Sequence, residues 1–247
     1  MNPELLTTPD LQRRYPRSAK YDVDWIIENQ VGSHCLWLME ALCTAMDIQP
    51  GMRVLDLGCG RAISSIFLAK EFGLQVWAAD LWTSPTENWQ RICQAGVGDR
   101  VFPLRAEAHE MPFAEGFFDA ITGINCLQFF GTDDYYLHEH LVKLVRPGGQ
   151  TGMVVPGILK ELDGPLPEHL LPYWEPDFYS WHSPDWWRDH WLHTGLVDVE
   201  VADAFEDGEG YHIFRRFEQA IQGGDKMISI DAGRHITFVR TVVRRVR

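Results

Sequence analysis

The feature that most constrains the fold is a buried-strand pattern that runs directly into a glycine turn, Val54-Leu55-Asp56-Leu57-Gly58-Cys59-Gly60-Arg61-Ala62. The two glycines allow the chain to turn tightly and bring backbone N–H groups and a helix N-terminus close to a ligand. The dinucleotide fingerprint requires a third glycine where Ile63 stands, and the Gly-Lys-Ser/Thr of a Walker loop is missing. The stretch therefore predicts a strand, a ligand-binding turn and a helix in succession, without the phosphate-cradling signature.

Regular alternation of strand and helix patterns follows this turn. Short β-rich runs alternate with helical segments between about residues 52 and 155, which predicts a parallel sheet covered on both faces. We expect strands at 53–57, 75–79, 101–104, 118–124 and 151–155, and helices at 62–72, 85–95 and 133–145. Later in the chain we expect helices at 184–194 and near 214–221, and strands at 197–202 and 236–243. A helical segment at 22–46 is expected to fold over the open edge of the sheet.

Acidic residues follow the second and third predicted strands. Asp80 ends the second strand twenty residues past Gly60, where a doubly wound fold places a carboxylate that accepts hydrogen bonds from ribose hydroxyls. Glu107 and Ala108 follow the third strand. A carboxylate at this position repels a phosphate and favours a nucleoside. The pattern therefore predicts a nucleoside-binding crevice at the carboxyl ends of the strands.

Together these elements resemble the class I S-adenosylmethionine-dependent methyltransferases, particularly the group related to ubiquinone-biosynthesis and cyclopropane-synthase enzymes. The resemblance covers residues 50–156 and, more loosely, the terminal strands. It implies a Rossmann-like α/β fold with a seven-stranded, mostly parallel sheet in the order 3-2-1-4-5-7-6. It also implies in-line transfer of a methyl group from S-adenosyl-L-methionine to a small-molecule acceptor, which leaves S-adenosyl-L-homocysteine.

The family pattern assigns roles to particular residues. Asp56 with the turn Gly58-Cys59-Gly60 would hold the methionine part of the cofactor, with Asn125 beside it. Asp80 would bind the ribose hydroxyls, Leu81 would touch the adenine face, and Glu107 with Ala108 would read the adenine edge. In related enzymes an N-terminal helix often contributes to the lid, which places Gly32 and Ser33 near the cofactor.

Two positions depart from the family pattern. Ala62 stands where a third glycine is common, and Gln128 stands where relatives often carry histidine. No general base can therefore be assigned. Two alternatives stay open: a regulator or pseudoenzyme that binds the cofactor without transferring a methyl group, and a nicotinamide-dependent oxidoreductase.

An aromatic and acidic stretch after the fifth strand gives the only indication of a substrate. Residues 173–191 hold eight aromatic residues, and residues 161–210 hold thirteen acidic residues and one basic residue. A cationic amine, or another small polar acceptor, would bind well against aromatic faces near carboxylates. The alternative is that these rings form a small satellite core. The candidate substrate residues are His34, Gln128, Tyr179, Trp181 and His182.

We expect one domain over residues 1–247, made of four segments. These are a helical N-terminal cover (1–49), a cofactor-binding core (50–155), a cap insertion with its helix (156–195) and the terminal strands (196–247). The arginine-rich end of the chain is expected to form an edge strand with outward charges, and Asp133-Asp134 to lie in the first turn of a helix.

Composition limits the partners. The net charge of −13 disfavours binding to nucleic acid or to an anionic membrane. Five cysteines without a Cys-x-x-Cys spacing predict neither disulfides nor a structural zinc site, and we expect no metal site. The sequence shows no apolar run long enough to span a membrane and no secretory signal, so we expect a cytoplasmic protein.

Overall fold

Seven strands form one sheet in the computed structural model, which describes residues 2–221 and 225–246. Their order across the sheet is β3-β2-β1-β4-β5-β7-β6, which confirms the predicted topology. Strands β1 to β5 pair in parallel, whereas β7 pairs antiparallel with both β5 and β6. The strands are β1 (Arg53–Leu57), β2 (Gln75–Asp80), β3 (Val101–Arg105), β4 (Phe118–Ile124), β5 (Val145–Ile158), β6 (Val197–Asp203) and β7 (Ile236–Arg245).

Helices cover both faces of the sheet. Adjacent residues of β1 show this, since Val54 lies in one buried cluster and Leu55 in another. A strand that is apolar on both faces needs such a double cover. The α-helices are α1 (Pro9–Arg14), α2 (Val23–Asn29), α3 (Cys35–Cys43), α4 (Ile63–Phe72), α5 (Pro85–Gln94), α6 (Pro184–His193), α7 (Glu209–Ile221) and α8 (Lys226–Asp231).

The N-terminal cover differs from the single helix predicted at 22–46. Residues 22–46 form two helices, α2 and α3, and the chain between them turns at Gly32, whose φ is +85°. His34 then caps α3, because its Nδ1 accepts a hydrogen bond from the Trp37 N–H at 3.3 Å. Helix α3 packs on α4, β4 and β5, so it covers a face of the sheet and not its open edge.

The helix predicted at 133–145 is largely replaced by other structure. Asp133 accepts hydrogen bonds from the N–H groups of Tyr135 (2.7 Å) and Tyr136 (3.1 Å), as a residue that starts a helix does. A π-helical turn (Leu137–Leu141) and a 3₁₀ turn (142–144) follow. The helix stops there because β5 begins at Val145, which pairs with Phe118 of β4.

The arginine-rich strand β7 lies inside the sheet, not at its edge. It separates β5 from β6, and β6 is the edge strand. Two of its arginines are paired with acids of β6: Arg240 Nη2 lies 2.7 Å from Asp203 Oδ2, and Arg244 Nε lies 2.5 Å from Glu200 Oε1. The excess of acids on β6 and of arginines on β7 therefore reflects pairing between neighbouring strands.

Within the described part of the chain, no helix is both long enough and apolar enough to cross a membrane.

Candidate functional site

A cavity of about 770 Å³ opens at the carboxyl ends of β1, β2 and β4. The direction of strand order reverses between β1 and β4, and open α/β sheets bind ligands at such a switch point. The wall contains segments from five parts of the chain: residues 29–33, 57–61, 79–83, 106–109 and 124–130 (except Leu127), joined by Cys35, Ile63, Ser64, Pro156, Phe214, Glu218 and Phe238.

The glycine turn forms one wall of this cavity, and its backbone is left-handed at three positions. Gly58 has φ +66°, Gly60 has φ +52° and Ala62 has φ +59°. Ala62 is thus left-handed although it is not a glycine, at the position where the family that the sequence resembles often has a third glycine. A Cβ on Gly58 would overlap the side chain of Cys126, so the first glycine is required by close packing as well as by its backbone angle.

Asp80 ties the end of β2 to this turn. Its Oδ2 accepts a hydrogen bond from the Gly60 N–H at 2.9 Å, and its Oδ1 accepts from the N–H groups of Trp82 (2.9 Å) and Thr83 (2.7 Å). The carboxylate is nearly buried and lies in the cavity wall. Three backbone donors therefore fix its orientation, and its remaining lone pairs are available to a ligand.

Glu107 and Ala108 follow β3 and line the wall of the cavity. Glu107 Oε1 lies 2.9 Å from the His109 ring nitrogen Nδ1, and its Oε2 accepts from the His109 N–H at 2.9 Å. These hydrogen bonds hold the pKa of the Glu107 carboxyl below its usual value. An ionised acceptor thus stands at the third strand end, next to the predicted Leu81 in the same wall.

The N-terminal segment meets the end of β4 across the cavity. Asn125 Nδ2 donates a hydrogen bond to Ser33 Oγ at 2.7 Å, and a Cβ on Gly32 would stand 3.0 Å from the same nitrogen. Asn125 itself adopts a left-handed φ of +56°. The three predicted residues Gly32, Ser33 and Asn125 therefore form one continuous part of the wall.

Asp56 lies behind the wall and does not line the cavity. Its Oδ2 accepts hydrogen bonds from Ser64 Oγ and Ser65 Oγ, each at 2.6 Å. Burial raises the pKa of its carboxyl to about 6, against the effect of the two serine hydroxyls. Asp56 therefore fastens the first turn of α4 to β1 and supports the glycine turn from below.

Among the five candidate substrate residues, only Gln128 lines the cavity. His34 is buried, with its ring stacked on Trp37 at 3.8 Å between centroids, and burial lowers its pKa to about 3. This histidine is therefore neutral and structural at ordinary pH.

The aromatic residues of the cap lie away from the cavity. Trp181 is only 8% exposed and belongs to a small buried cluster with Leu170 and Ile236, whereas Tyr179 is 73% exposed. The ring of His182 stacks on Trp186 at 3.7 Å, and its Nδ1 lies 3.4 Å from Glu161 Oε2. This arrangement favours the satellite-core interpretation of the cap over an aromatic substrate wall.

The sequence did not predict the apolar part of the cavity wall or the glutamate that lies in it. Phe214 and Glu218 are four residues apart on α7 and so lie on the same face of that helix. Burial raises the pKa of the Glu218 carboxyl. The four-residue spacing of Phe214 and Glu218 on a predicted helix indicated that they share a face. Nothing in the neighbouring sequence indicated that this face would line the cavity. The other missed lining residues include Trp82, His109, Phe129, Phe130 and Phe238.

Three side-chain oxygens of the wall are buried without a hydrogen-bond partner among the described residues. They are Oε1 of Gln30, Oδ1 of Asn125 and Oε1 of Gln128. Buried acceptors are rarely left unpaired, so they fit a ligand that brings N–H or O–H donors. The ammonium and hydroxyl groups of S-adenosylmethionine are such donors.

The cavity thiols do not supply a nucleophile. Burial raises the pKa of all three thiols in the wall, those of Cys35, Cys59 and Cys126, so all three are protonated at neutral pH. The thiols of the wall are therefore unsuited to covalent catalysis.

Residues 54–149 match the family described as "Methyltransferase domain". Over 129 residues the chain is 30% identical to Methyltransferase GfsG of Streptomyces halstedii, covering 51% of this chain and 46% of the relative. Over 169 residues it is 29% identical to the ubiquinone/menaquinone biosynthesis C-methyltransferase UbiE of Vibrio cholerae, covering 67% of this chain and 60% of the relative. The chain thus spans about half the length of the curated relatives it matches.

A solved structure shows the same fold over nearly the whole chain. Haemonchus contortus phosphoethanolamine N-methyltransferase 2, solved with phosphomonomethylethanolamine and S-adenosylhomocysteine, is 19% identical, with a TM-score of 0.72 over 96% of this chain and 59% of that one. Residues 54–149 are thus similar to a methyltransferase domain, and the chain shares the fold of this solved enzyme, with the strand order 3-2-1-4-5-7-6.

Proposed function

We propose that this chain transfers a methyl group from S-adenosylmethionine to a small-molecule acceptor in the cavity at the carboxyl ends of the sheet. The observation that carries the proposal is the convergence of the glycine turn, Asp80, Glu107 and Asn125 on one cavity. These four elements are separated along the sequence, and the fold of the class brings them together at its ligand-binding edge.

Within this cavity the cofactor would be held by the residues that the family pattern assigns. Asp80 would accept the ribose hydroxyls, and Glu107 with Ala108 would read the adenine edge. Leu81 would pack on the adenine face, and the turn at 58–60 with Asn125 would hold the methionine part. When bound, the sulfonium supplies an electrophilic methyl carbon and a neutral leaving group.

The protein's own contribution is alignment and exclusion of water. A nucleophile held about 3–3.5 Å from the methyl carbon, in line with the leaving group, gains most of its rate from that positioning. The cavity wall is mainly apolar, with Phe130, Phe214 and Phe238 among its residues, which favours exclusion of water. The wall thiols do not compete for the methyl group, because Cys35, Cys59 and Cys126 all stay protonated.

The acceptor that best fits the apolar half is an amine with an apolar body. Aromatic rings attract a cationic amine, and Glu218 places a carboxylate among them. Its raised pKa makes Glu218 a better proton acceptor than an exposed glutamate. In the proposed reaction the bound ammonium would first pass a proton to Glu218. The resulting neutral amine would then take the methyl group while the electrons of the C–S bond stay on sulfur, so that the positive charge moves from sulfur to the methylated nitrogen.

The test is methyl transfer from methyl-labelled S-adenosylmethionine to a pool of small metabolites, followed by mass identification of the labelled product. We expect Glu218→Gln to lower transfer to an amine by roughly 10²–10⁴-fold, the usual contribution of a general base. Calorimetric affinity for S-adenosylhomocysteine should stay unchanged. Arg215→Gln, on an exposed position of the same helix, is the matched control.

Two outcomes would contradict the proposal at different levels. Tight cofactor binding with no labelled product from any pool would favour a binding protein without transfer activity. A labelled product that is not an amine, with full activity in Glu218→Gln, would retain the methyltransferase and reject the amine acceptor.

A further inference from the structure

A cluster of three metal-ligating side chains lies outside the cavity. His169 belongs to the cap, Asp231 ends α8, and His235 directly precedes β7. Their candidate ligand atoms all lie within 4.8 Å of one another, although 62 residues separate His169 from Asp231. The fold therefore assembles two imidazoles and a carboxylate from two distant parts of the chain.

The carboxylate of Asp231 is the centre of this cluster. Its side chain is fully buried, and Oδ2 accepts hydrogen bonds from the N–H groups of His235 (3.0 Å) and Ile236 (2.9 Å). The other oxygen, Oδ1, lies 3.1 Å from His169 Nε2 and 2.9 Å from His235 Nδ1. Backbone N–H groups thus hold Oδ2, and both imidazoles contact Oδ1.

These separations are close to those of a bound metal ion. Zinc lies about 2.0–2.2 Å from imidazole nitrogen and carboxylate oxygen, so neighbouring ligands of a tetrahedral site stand roughly 3.3–3.6 Å apart. The two nitrogen-to-oxygen separations here are slightly shorter than this, and all the candidate ligand atoms lie within 4.8 Å of one another, so small side-chain movements would bring them around one ion. The backbone bonds to Oδ2 would orient the ligating carboxylate, as outer-shell partners do in metal sites.

Exposure of the two imidazoles leaves room for entry of an ion and for a fourth ligand. The side chain of His169 is 21% exposed and that of His235 is 30% exposed. Two histidines and one carboxylate with an open position form a donor set that suits a divalent transition metal. Magnesium and calcium prefer oxygen ligands and fit this set poorly.

We propose that His169, Asp231 and His235 bind a divalent transition-metal ion of the zinc type. The site would fasten the cap to the corner between α8 and β7. Leu170 and Ile236, the neighbours of two of the ligands, lie in the same buried cluster. The ion would therefore close a loop of more than sixty residues over that cluster and stabilise the folded cap.

The experiment is titration of the untagged, chelator-treated chain with Zn²⁺, by calorimetry and by competition with a chromogenic chelator. We expect one ion per chain and a rise in melting temperature. His169→Ala and His235→Ala should each weaken binding by roughly 100-fold or more, since even loss of an outer-shell partner costs about 10–100-fold. His193→Ala, which removes an exposed histidine of α6, should change neither the affinity for Zn²⁺ nor the rise in melting temperature.

Cobalt gives an independent measurement. Co²⁺ in place of Zn²⁺ should give the visible absorption of a four-coordinate site, and His169→Gln should abolish it while circular dichroism shows the chain folded. Absence of stoichiometric Zn²⁺ binding to the wild-type chain would overturn the proposal. So would binding that survives unchanged in both histidine variants.

Discussion

The carboxylate of Asp80 accepts a hydrogen bond from the Gly60 N–H at 2.9 Å, so the end of β2 holds the turn that follows β1. Cofactor recognition and turn geometry therefore depend on the same side chain. We expect Asp80→Ala to weaken binding of S-adenosylhomocysteine by roughly 1.5–3 kcal/mol, the scale of hydrogen bonds to a charged group. Isothermal calorimetry measures this loss.

The control for Asp80 is the asparagine variant. Asp80→Asn retains an oxygen that can accept from Trp82 and Thr83, but it loses the charge and the acceptor that faces Gly60. Its affinity should fall between those of the wild type and Asp80→Ala. Unchanged affinity in a folded Asp80→Ala variant would reject the ribose assignment.

The two turn glycines should respond differently to alanine. Gly58→Ala places a methyl group onto the Cys126 side chain as well as into left-handed backbone, so we expect a loss of several degrees in melting temperature. Gly60→Ala meets only Val31, 3.4 Å away, so its cost should be close to the roughly 1–2 kcal/mol of the backbone angle.

A larger side chain at Gly60 tests the cavity itself. Gly60→Val should abolish cofactor binding and leave the fold largely intact, because the branched side chain occupies the ligand's space. Circular dichroism reports the fold and calorimetry the binding. Normal affinity in this variant would place the ligand elsewhere.

Two aromatic residues of the cap separate packing from substrate binding. Trp181→Ala empties part of a buried cluster and should lower the free energy of unfolding by about 3–5 kcal/mol. Tyr179→Ala changes an exposed side chain and should stay within about 0.5 kcal/mol of the wild type. Methyl transfer per folded molecule should be retained in both. If either variant loses transfer while its melting temperature holds, the cap binds substrate.

His34 makes stability depend on pH. Burial lowers its pKa to about 3, whereas an unfolded histidine titrates near 6.5. Between these values the unfolded chain binds the extra proton, so stability is complete above pH 6.5 and is lost as the pH falls, by up to about 1.4 kcal/mol per pH unit. His34→Asn keeps a capping acceptor and removes this slope.

The slope must be measured as a difference between variants, because Asp56 has the opposite effect. Its raised pKa of about 6 makes the folded chain bind the proton more tightly, so its contribution to stability falls as the pH rises from about 4 to 6. Denaturant unfolding of the wild type, His34→Asn and the exposed-site control His193→Asn at pH 4, 5 and 7 isolates the histidine. Equal slopes in wild type and His34→Asn would show that His34 is charged in the fold.

Local signals explain which parts of the site were predictable. Each of three predicted features stands at the end of a strand that is recognisable from its consecutive apolar residues: the turn at 58–60, Asp80 and Glu107. The carboxyl ends of neighbouring parallel strands lie at the same edge of the sheet, so these features were expected to lie close together. Asp56 lies in the same pattern, but its carboxylate accepts hydrogen bonds from two serines of α4 and does not line the cavity. The spacing of residues in the sequence does not reveal such side-chain partners.

Long-range placement explains what the sequence did not indicate. Glu218 enters the cavity because α7 packs beside β7, more than 150 residues after the glycine turn. His169 and His235 show no motif spacing, so their meeting at Asp231 is visible only in the fold. The stretch expected to form a helix at 133–145 instead forms a π-helical turn and a 3₁₀ turn, and it ends where Val145 pairs with Phe118 of an earlier strand.

The position of β7 between β5 and β6 dictates the order in which the sheet can assemble. Strand β6 is made first, but within the described sheet its only partner is β7, which emerges more than thirty residues later. Until then β6 has no backbone hydrogen-bonding neighbour, and β5 exposes the edge that β7 will cover. This half of the sheet can therefore form only after β7 has been made, and β7 then pairs with both β5 and β6.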